Sequence, residues 1–259
     1  MPVSKSKKKG SAAHKKRENS KQSKLAVIGT TAKKPAKAAK VARAVGTGTN
    51  PERVAAILAK LDQAYPAATC ELKHENAFQL LISTILSAQC TDVRVNQVTE
   101  SLYKKYPNPQ AFAYANPSDL EQEIRPTGFF RNKTKSIMGA SKALLETFGG
   151  QVPKTMDEIL TLPGVARKTG NVVLGTAYGI ASGVVVDTHV IRLSRRLDLT
   201  KHEDPKKIEQ DLMRVIPKEK WIQFSHQLIW HGRRVCIARK PRCLDCNLES
   251  ICYSKDKIV

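Results

Sequence analysis

Apolar residues recur from residue 50 onward at the three- and four-residue spacing that puts one apolar stripe on an α-helix. The clearest sets are Val54, Ile57, Leu58 and Leu61; Phe78, Leu81, Ile82 and Ile85; Ile137, Leu144, Leu145 and Phe148; and Ile208, Leu212, Val215 and Ile216. Segments rich in proline and glycine, which end helices, separate these sets. No segment sustains strand-like alternation, and we expect the short β-branched run Val184–Val186 to be a buried connector. The pattern predicts an all-α fold of about ten helices.

Residues 156–178 have the pattern of two helices joined by a tight turn. The pattern is helical over residues 156–162 and 167–178, and the turn is Pro163-Gly164-Val165-Ala166. The first N–H groups of a helix have no partner within it, so such a turn can grip a phosphate without reading base sequence. The expected contacts are Leu162, Gly164, Ala166 and Arg167. The alternative is a helix pair that only packs.

Two ionisable residues near this turn suit covalent chemistry. Lys168 falls in the first turn of the second helix, where the helix dipole disfavours a cation and so favours the neutral amine of a nucleophile. Its alternative role is a surface cation on phosphate. Asp187 directly precedes a helical pattern that starts at Thr188. It is therefore a helix N-cap, a carboxylate facing Lys168 across a cleft, or both.

Positive charge is concentrated at the start of the chain. Of the 44 Lys and Arg residues, fourteen lie in residues 1–48 beside a single acidic residue, Glu18. That segment has no aromatic residue, and we expect residues 1–49 to be a disordered basic tail because they cannot offset their ordering entropy by burial. The tail either attracts phosphates in a salt-sensitive way or is a solvated appendage. The remaining chain is also basic, which indicates a polyanion partner.

Four of the six cysteines form a series near the end of the chain. Cys236, Cys243, Cys246 and Cys252 are separated by six, two and five residues. No apolar secretion signal occurs at the N-terminus, so metal ligation is favoured over disulfides. A [4Fe–4S] cluster is favoured over zinc, because zinc ribbons usually pair two Cys-x2-Cys units. The cations Arg239, Lys240 and Arg242 in the first loop either contact a second phosphate or balance thiolate charge.

These motifs, in this order, resemble one family. They are Leu162-Pro163-Gly164-Val165-Ala166-Arg167-Lys168-Thr169, Val186-Asp187-Thr188-His189, and the cysteine series, with Ser87-Ala88-Gln89 and His231-Gly232-Arg233 as further signatures. From about residue 50 to 259 the chain is similar to the endonuclease III family. Members of that family are bifunctional DNA glycosylases and abasic-site lyases of the helix–hairpin–helix superfamily. The resemblance implies a six-helix barrel domain over residues 71–181. It also implies an iron–sulfur cluster domain made of residues 50–70 and 182–259.

The resemblance also implies an activity and assigns residues to it. The expected function is base excision repair of double-stranded DNA by a monomer, which removes oxidised pyrimidines of the thymine glycol type and nicks the abasic site by β-elimination. Lys168 and Asp187 match the catalytic lysine and aspartate, and the four cysteines match the ligands of the [4Fe–4S] cluster. Gln89 matches the glutamine that fills the gap left by the flipped base. Phe129, facing the opposite strand, and His189 are further expected DNA contacts.

The chain departs from the family pattern at three places. Ala166 replaces a glycine common in the hairpin, although its methyl group still allows an outward N–H. Gly170 stands where alanine is frequent, at a small cost to the helix. Phe129-Phe130 occupies a loop where a smaller aliphatic wedge is common, which leaves the lesion preference open.

Two other functions share parts of this pattern. A monofunctional adenine-mismatch glycosylase would have the same core but typically lacks lysine at position 168 and carries a further C-terminal domain. A non-catalytic cluster-bearing DNA-binding protein would keep the hairpin and the cysteines without needing both Lys168 and Asp187.

No run of about 18 apolar residues, the length needed to cross a membrane, occurs in the chain. We expect a cytoplasmic, nucleoid-associated protein if the source is bacterial, with the nucleus and the mitochondrion as alternatives.

Overall fold

The apolar patterns correspond to eleven α-helices in a computed structural model that describes residues 48–258. The helices are α1 (Pro51–Ala64), α2 (Ala77–Leu86), α3 (Asp92–Lys105), α4 (Pro109–Ala113), α5 (Pro117–Ile124), α6 (Phe130–Phe148), α7 (Met156–Ile159), α8 (Arg167–Tyr178), α9 (Thr188–Arg196), α10 (Pro205–Val215) and α11 (Trp221–Arg234). Short 3₁₀ turns occur at Arg125–Thr127, Lys218–Lys220, Cys243–Asp245 and Glu249–Ile251. No strand occurs among these residues, so the all-α prediction is confirmed. The predicted tail, except for its last two residues, lies outside the described residues.

Most helices begin where a polar side chain replaces the missing backbone acceptor. Within residues 48–258, eight of the eleven helices start at an Asn, Thr or Asp that accepts a hydrogen bond from the first turn. Asn50 does so for α1 and accepts from the Glu52 N–H at 3.0 Å. The three helices without such a cap are α6, α8 and α11. Two of them, α6 and α8, begin directly after predicted DNA contacts, Phe129 and Ala166.

The buried apolar side chains form two hydrophobic cores. Helices α2 to α8 build the first core, and α1, α9, α10 and α11 build the second together with the turn at Ile251. The connector Val184–Val186 is buried, as predicted, and it alternates between the cores: Val185 packs in the first, and its two neighbours pack in the second. The connector therefore ties Asp187, the next residue, to both cores. None of the described helices is long and apolar enough to cross a membrane.

The turn between α7 and α8 is fitted against α6 with no room for a larger residue. Gly164 has φ +77°, and a Cβ added to it would lie 2.4 Å from the Cβ of Ser136. Beside it, a Cβ on Gly139 would lie 3.1 Å from the Pro163 ring. Gly170, whose expected effect was only a small helix cost, lets α7 approach, because a Cβ there would meet the Met156 sulfur at 2.8 Å. Glycine at these positions lets the hairpin lie against its supports.

We expect Gly164→Ala to destabilise the fold more than Gly179→Ala, a matched change at the other end of α8. Gly179 has φ +67° but no atom within 4 Å of an added Cβ, so alanine there costs about 1 kcal/mol of backbone strain. At Gly164 the steric overlap with Ser136 adds to the same strain, for a total of about 3 kcal/mol. Urea unfolding of both variants measures the difference. Equal losses would show that the hairpin does not depend on its contact with α6.

Candidate active site

The N-terminus of α8 is exposed and has no side-chain cap. Ala166 precedes the helix and makes no capping hydrogen bond, so the N–H groups of the first turn have no acceptor in the helix. Gly164, Ala166 and Lys168 are exposed around this end. These residues present donors to solvent, as a phosphate grip requires. Leu162 differs, because its side chain is 2% exposed and its N–H donates to Ile159, so it supports the turn from the core.

Lys168 and Asp187 line the same cavity, which has an empty volume of about 510 Å³ and draws its walls from both cores. Lys168 is the second residue of α8, in the first turn as predicted. Asp187 is the N-cap of α9, and its Oδ1 accepts from the N–H groups of His189 at 2.9 Å and Val190 at 2.8 Å. The two roles weighed for Asp187, a cap and a carboxylate in a cleft with Lys168, are therefore both compatible with its position.

Three further charged groups line this cavity: Arg233, which belongs to the signature His231-Gly232-Arg233, and the acids Glu71 and Asp92. Arg233, on the last turn of α11, donates to the Asp92 carboxylate at 2.6 Å and to the Glu71 carboxylate. Both acids line the cavity, but their sequence distance from Arg233, 141 and 162 residues, left no local signal. Burial raises the pKa of the Cys70 thiol and lowers the pKa of His226, so both wall residues are neutral at pH 7. Arg233, on a helix of the second core, is thus paired with two carboxylates of this cavity.

Arg167 is held by a buried carboxylate that sequence reasoning missed. Its Nε donates to Glu209 Oε2 at 2.7 Å, and the other oxygen of Glu209 accepts from Asn171 Nδ2 at 2.8 Å. The side chain of Glu209 is only 7% exposed, whereas that of Arg167 is 40% exposed. The bond fixes the start of α8 to α10, which belongs to the second core. Arg167 therefore anchors the grip whether or not it also touches DNA.

Gln89 and Phe129 are exposed side chains on left-handed backbone. Their φ angles are 54° and 48°, a conformation that is strained for residues other than glycine and is frequent at functional sites. Phe129 is 61% exposed, which is unusual for a large aromatic side chain. His189 is half-buried, with Nδ1 at 3.3 Å from Arg192 Nη2. Burial lowers the pKa of His189, which favours the neutral ring.

The four cysteines of the series line one cavity with an empty volume of about 350 Å³. Burial, and then the neighbouring Cys236, Cys252 and Cys243, raise the pKa of Cys246 to about 11. Arg196 Nη1 donates to Cys236 Sγ at 3.3 Å, the Ile258 N–H donates to Cys243 Sγ at 3.4 Å, and His231 Nε2 lies 3.5 Å from Cys246 Sγ. Among residues 48–258, no group of three or more His, Cys, Asp or Glu side chains is arranged to hold a metal ion.

The loop between Cys236 and Cys243 presents its cations to solvent. Arg239, Lys240 and Arg242 are exposed, and none of them pairs with a carboxylate in the described part of the chain. Lys240 has φ 54°, and the Arg242 N–H donates to the Val235 carbonyl at 3.0 Å, which closes the loop. The structure thus offers unpaired positive charge at this loop and unpaired N–H donors at α8.

Comparison with known proteins accounts for this combination. Residues 82–218 match the HhH-GPD superfamily of base excision DNA repair proteins. The chain is 55% identical to endonuclease III of Synechocystis sp. over 203 residues, which are 78% of this chain and 93% of that protein. The chain belongs to the endonuclease III family. It is 39% identical to the Escherichia coli endonuclease III over 78% of this chain and 95% of that protein. Membership makes the chain a DNA glycosylase of base excision repair with the helix–hairpin–helix fold.

Solved structures share the fold of this chain. A trapped covalent intermediate of endonuclease III with DNA has a TM-score of 0.75 and 41% identity, over 78% of this chain and 95% of that chain. A thermostable thymine-DNA glycosylase has a TM-score of 0.71 at 20% identity, over 78% of this chain and 96% of that chain, which shows a shared fold. The similarity to endonuclease III thus covers most of residues 48–258.

We expect Asp187→Asn and Asp187→Ala to separate the cap from the charge. Asparagine keeps an acceptor for the His189 and Val190 N–H groups, so the free energy of unfolding should change by less than about 0.5 kcal/mol. Alanine removes it and should cost about 1 kcal/mol. Asp204, the cap of α10, accepts from Lys207 N at 3.0 Å outside the cavity, and the same two changes there are the control. Asparagine could prove as destabilising as alanine at position 187 but not at position 204. That result would show that Asp187 does not stabilise the fold through its cap.

Proposed function

We propose that the chain removes oxidised pyrimidines from double-stranded DNA and then cuts the strand at the resulting abasic site, acting as a monomer. The observation that carries the proposal is the cavity shared by Lys168 and Asp187. A covalent endonuclease III–DNA intermediate has been trapped in a relative, and covalent catalysis needs a nucleophile on the protein. Lys168 is the nucleophilic side chain beside the helix end that could hold the DNA backbone.

In the proposed reaction a damaged pyrimidine turns out of the duplex into the cavity, which costs a few kcal/mol and least for a damaged base. The neutral amine of Lys168 attacks C1′ of its sugar. The bond from C1′ to the base breaks, and the base leaves with the electron pair and takes up a proton. Asp187 accepts the proton released from the lysine nitrogen or stabilises the positive charge that develops at C1′. Its second carboxylate oxygen is available for this while Oδ1 caps α9.

The Lys168 nitrogen then forms a double bond to C1′ as the C1′–O4′ bond breaks and O4′ takes up a proton, and the resulting Schiff base acidifies the C2′ proton. Loss of that proton forms a C2′–C3′ double bond and expels the 3′ phosphate oxygen, so the strand is cut 3′ to the lesion. Water then hydrolyses the Schiff base and frees the lysine. The proposed supports are phosphate contacts at Gly164, Ala166 and Arg167, and at the loop cations near the cysteines.

Two side chains are proposed to hold the duplex open while this occurs. Gln89 fills the gap that the flipped base leaves, and Phe129 lies against the opposite strand. Both are exposed, and an aromatic face stacks on any base. His189, at the start of α9, adds a contact to the backbone of the damaged strand. The basic segment before residue 49 adds attraction to phosphates that weakens with salt.

We propose that Cys236, Cys243, Cys246 and Cys252 hold a [4Fe–4S] cluster. The four thiols share one cavity, and thiolates are the ligands of such clusters. When bound, the cluster supplies fixed anchor points at both ends of the cationic loop. Arg196 and His231 would then face ligand sulfurs.

Borohydride trapping tests the covalent step. We expect wild-type protein to cross-link to DNA containing thymine glycol and Lys168→Ala to lose the cross-link at least about 1000-fold, because no other residue replaces a covalent nucleophile. Lys206→Ala is the control, since Lys206 is also an exposed lysine at the second position of a helix, α10. Failure of the wild type to cross-link, or unchanged cross-linking by Lys168→Ala, removes the lyase and leaves a monofunctional enzyme or a DNA-binding protein as the alternative.

Metal analysis tests the cysteine site. Anaerobically purified protein should contain about four iron and four sulfide ions per chain and absorb near 400 nm, as Cys₄-bound [4Fe–4S] clusters do. Cys243→Ala should lose iron and colour, whereas Cys90→Ala should keep both, because Cys90 lies outside the cavity. One zinc ion per chain in place of iron contradicts the cluster and supports a structural zinc.

A further inference from the structure

Lys133 is a buried lysine that the proposed chemistry does not use. It lies in the first half of α6 and is 4% exposed. Its Nζ donates to the carbonyl oxygens of Leu86 and Thr127, each at 2.8 Å. Burying an ammonium costs several kcal/mol unless its surroundings compensate, so a buried lysine on two carbonyls calls for an explanation beyond packing.

Both acceptors are carbonyl groups at the ends of helical segments. Leu86 is the last residue of α2, and Thr127 is the last residue of the 3₁₀ turn before α6. Carbonyls at a helix C-terminus lack partners within the helix and carry its partial negative charge. The Lys133 ammonium satisfies one such carbonyl on each segment. A single side chain therefore joins two segments whose acceptors are 47 and 6 residues away in sequence.

Each joined segment leads directly into a strained, exposed residue. Gln89 follows Leu86 by three residues, and Phe129 follows Thr127 by two. Both have left-handed φ angles, 54° and 48°. Strained backbone of this kind persists only where the surroundings hold it. The two bonds of Lys133 join the segment that carries Gln89 to the segment that carries Phe129, and they supply such a hold.

We infer that Lys133 is a positioning residue that sets the separation of Gln89 and Phe129, the two side chains proposed to enter the base stack. The inference rests on the proposed function, which assigns those two side chains to opened duplex DNA. Inserting two wedges into one duplex requires a fixed distance between them, and a displacement of about 1 Å can cost about 100-fold in rate. Lys133 fixes that distance from inside the protein, where it touches neither DNA nor the reacting atoms.

The test compares two substrates that differ in their need for wedges. Duplex DNA with thymine glycol must be opened, whereas single-stranded DNA with an abasic site needs no base to be flipped. For Lys133→Met we expect kcat/KM on the duplex to fall about 100-fold. Borohydride trapping on the single strand should stay within about threefold, since Lys168 and Asp187 are untouched. The control is Lys142→Met, because Lys142 is an exposed lysine of the same helix that pairs with Glu146.

A double-mutant cycle separates positioning from general stability. Phe129→Ala alone should lose duplex activity, and adding Lys133→Met should cost much less than it does in the wild type, because the wedge it positions is already gone. Equal losses on duplex and single strand, or additive losses in the cycle, overturn the inference. If the wild type is trapped neither on the duplex nor on the single strand, the result contradicts the proposed function and not the role of Lys133. If Lys133→Met does not fold, Lys133→Gln, which keeps one donor, is measured in the same way.

Discussion

The site depends on one helix end that is kept open at the surface. Most described helices follow a residue whose side chain accepts from a first-turn N–H group, but α8 follows Ala166, which has no such side chain. Unpaired donors are only stable there if solvent or a ligand satisfies them and the chain is held from behind. A helix of the first core provides one hold, the close approach of Ser136 to Gly164, and a helix of the second core provides the other, Glu209, which accepts a hydrogen bond from Arg167. Lys168 is the next residue, so its position follows from both.

Backbone strain is concentrated at the surface proposed to meet DNA. Among the described residues, four other than glycine have left-handed φ angles: Gln89, Phe129, Asp198 and Lys240. From the sequence, three of these four, Gln89, Phe129 and Lys240, were expected to contact DNA. A residue in this conformation costs on the order of 1 kcal/mol or more. Hydrogen bonds lie close to each of the three: Lys133 bonds to residues three positions before Gln89 and two before Phe129, and the Arg242 N–H donates to the Val235 carbonyl across the loop of Lys240. These three strained residues thus lie outside the regular helices, next to or between them.

Local features were predictable from the sequence, and contacts between distant segments were not. The caps at Asn50 and Asp187, the turn at Gly164 and the helix that starts at Arg167 depend on residues within a few positions of each other, so composition and spacing reveal them. The partner of Arg167 lies 42 residues away. A glutamate on the buried side of α10 looks like any helix-forming acid until the fold brings α8 against it. The same holds for Lys133, which reads as one more lysine of a basic helix.

The geometry of the candidate catalytic pair follows from the way the chain crosses between cores. Val184, Val185 and Val186 pack alternately in the second, first and second cores, and the chain then reaches Asp187 with no intervening residue. Asn171, one turn after Lys168, donates to the Val184 carbonyl at 3.4 Å as well as to Glu209. The helix that carries the lysine is thus bonded to the connector that carries the aspartate. Lys168 and Asp187 are each tied to both cores. The packing of the two cores therefore sets the distance between Lys168 and Asp187, and neither side chain alone determines that distance.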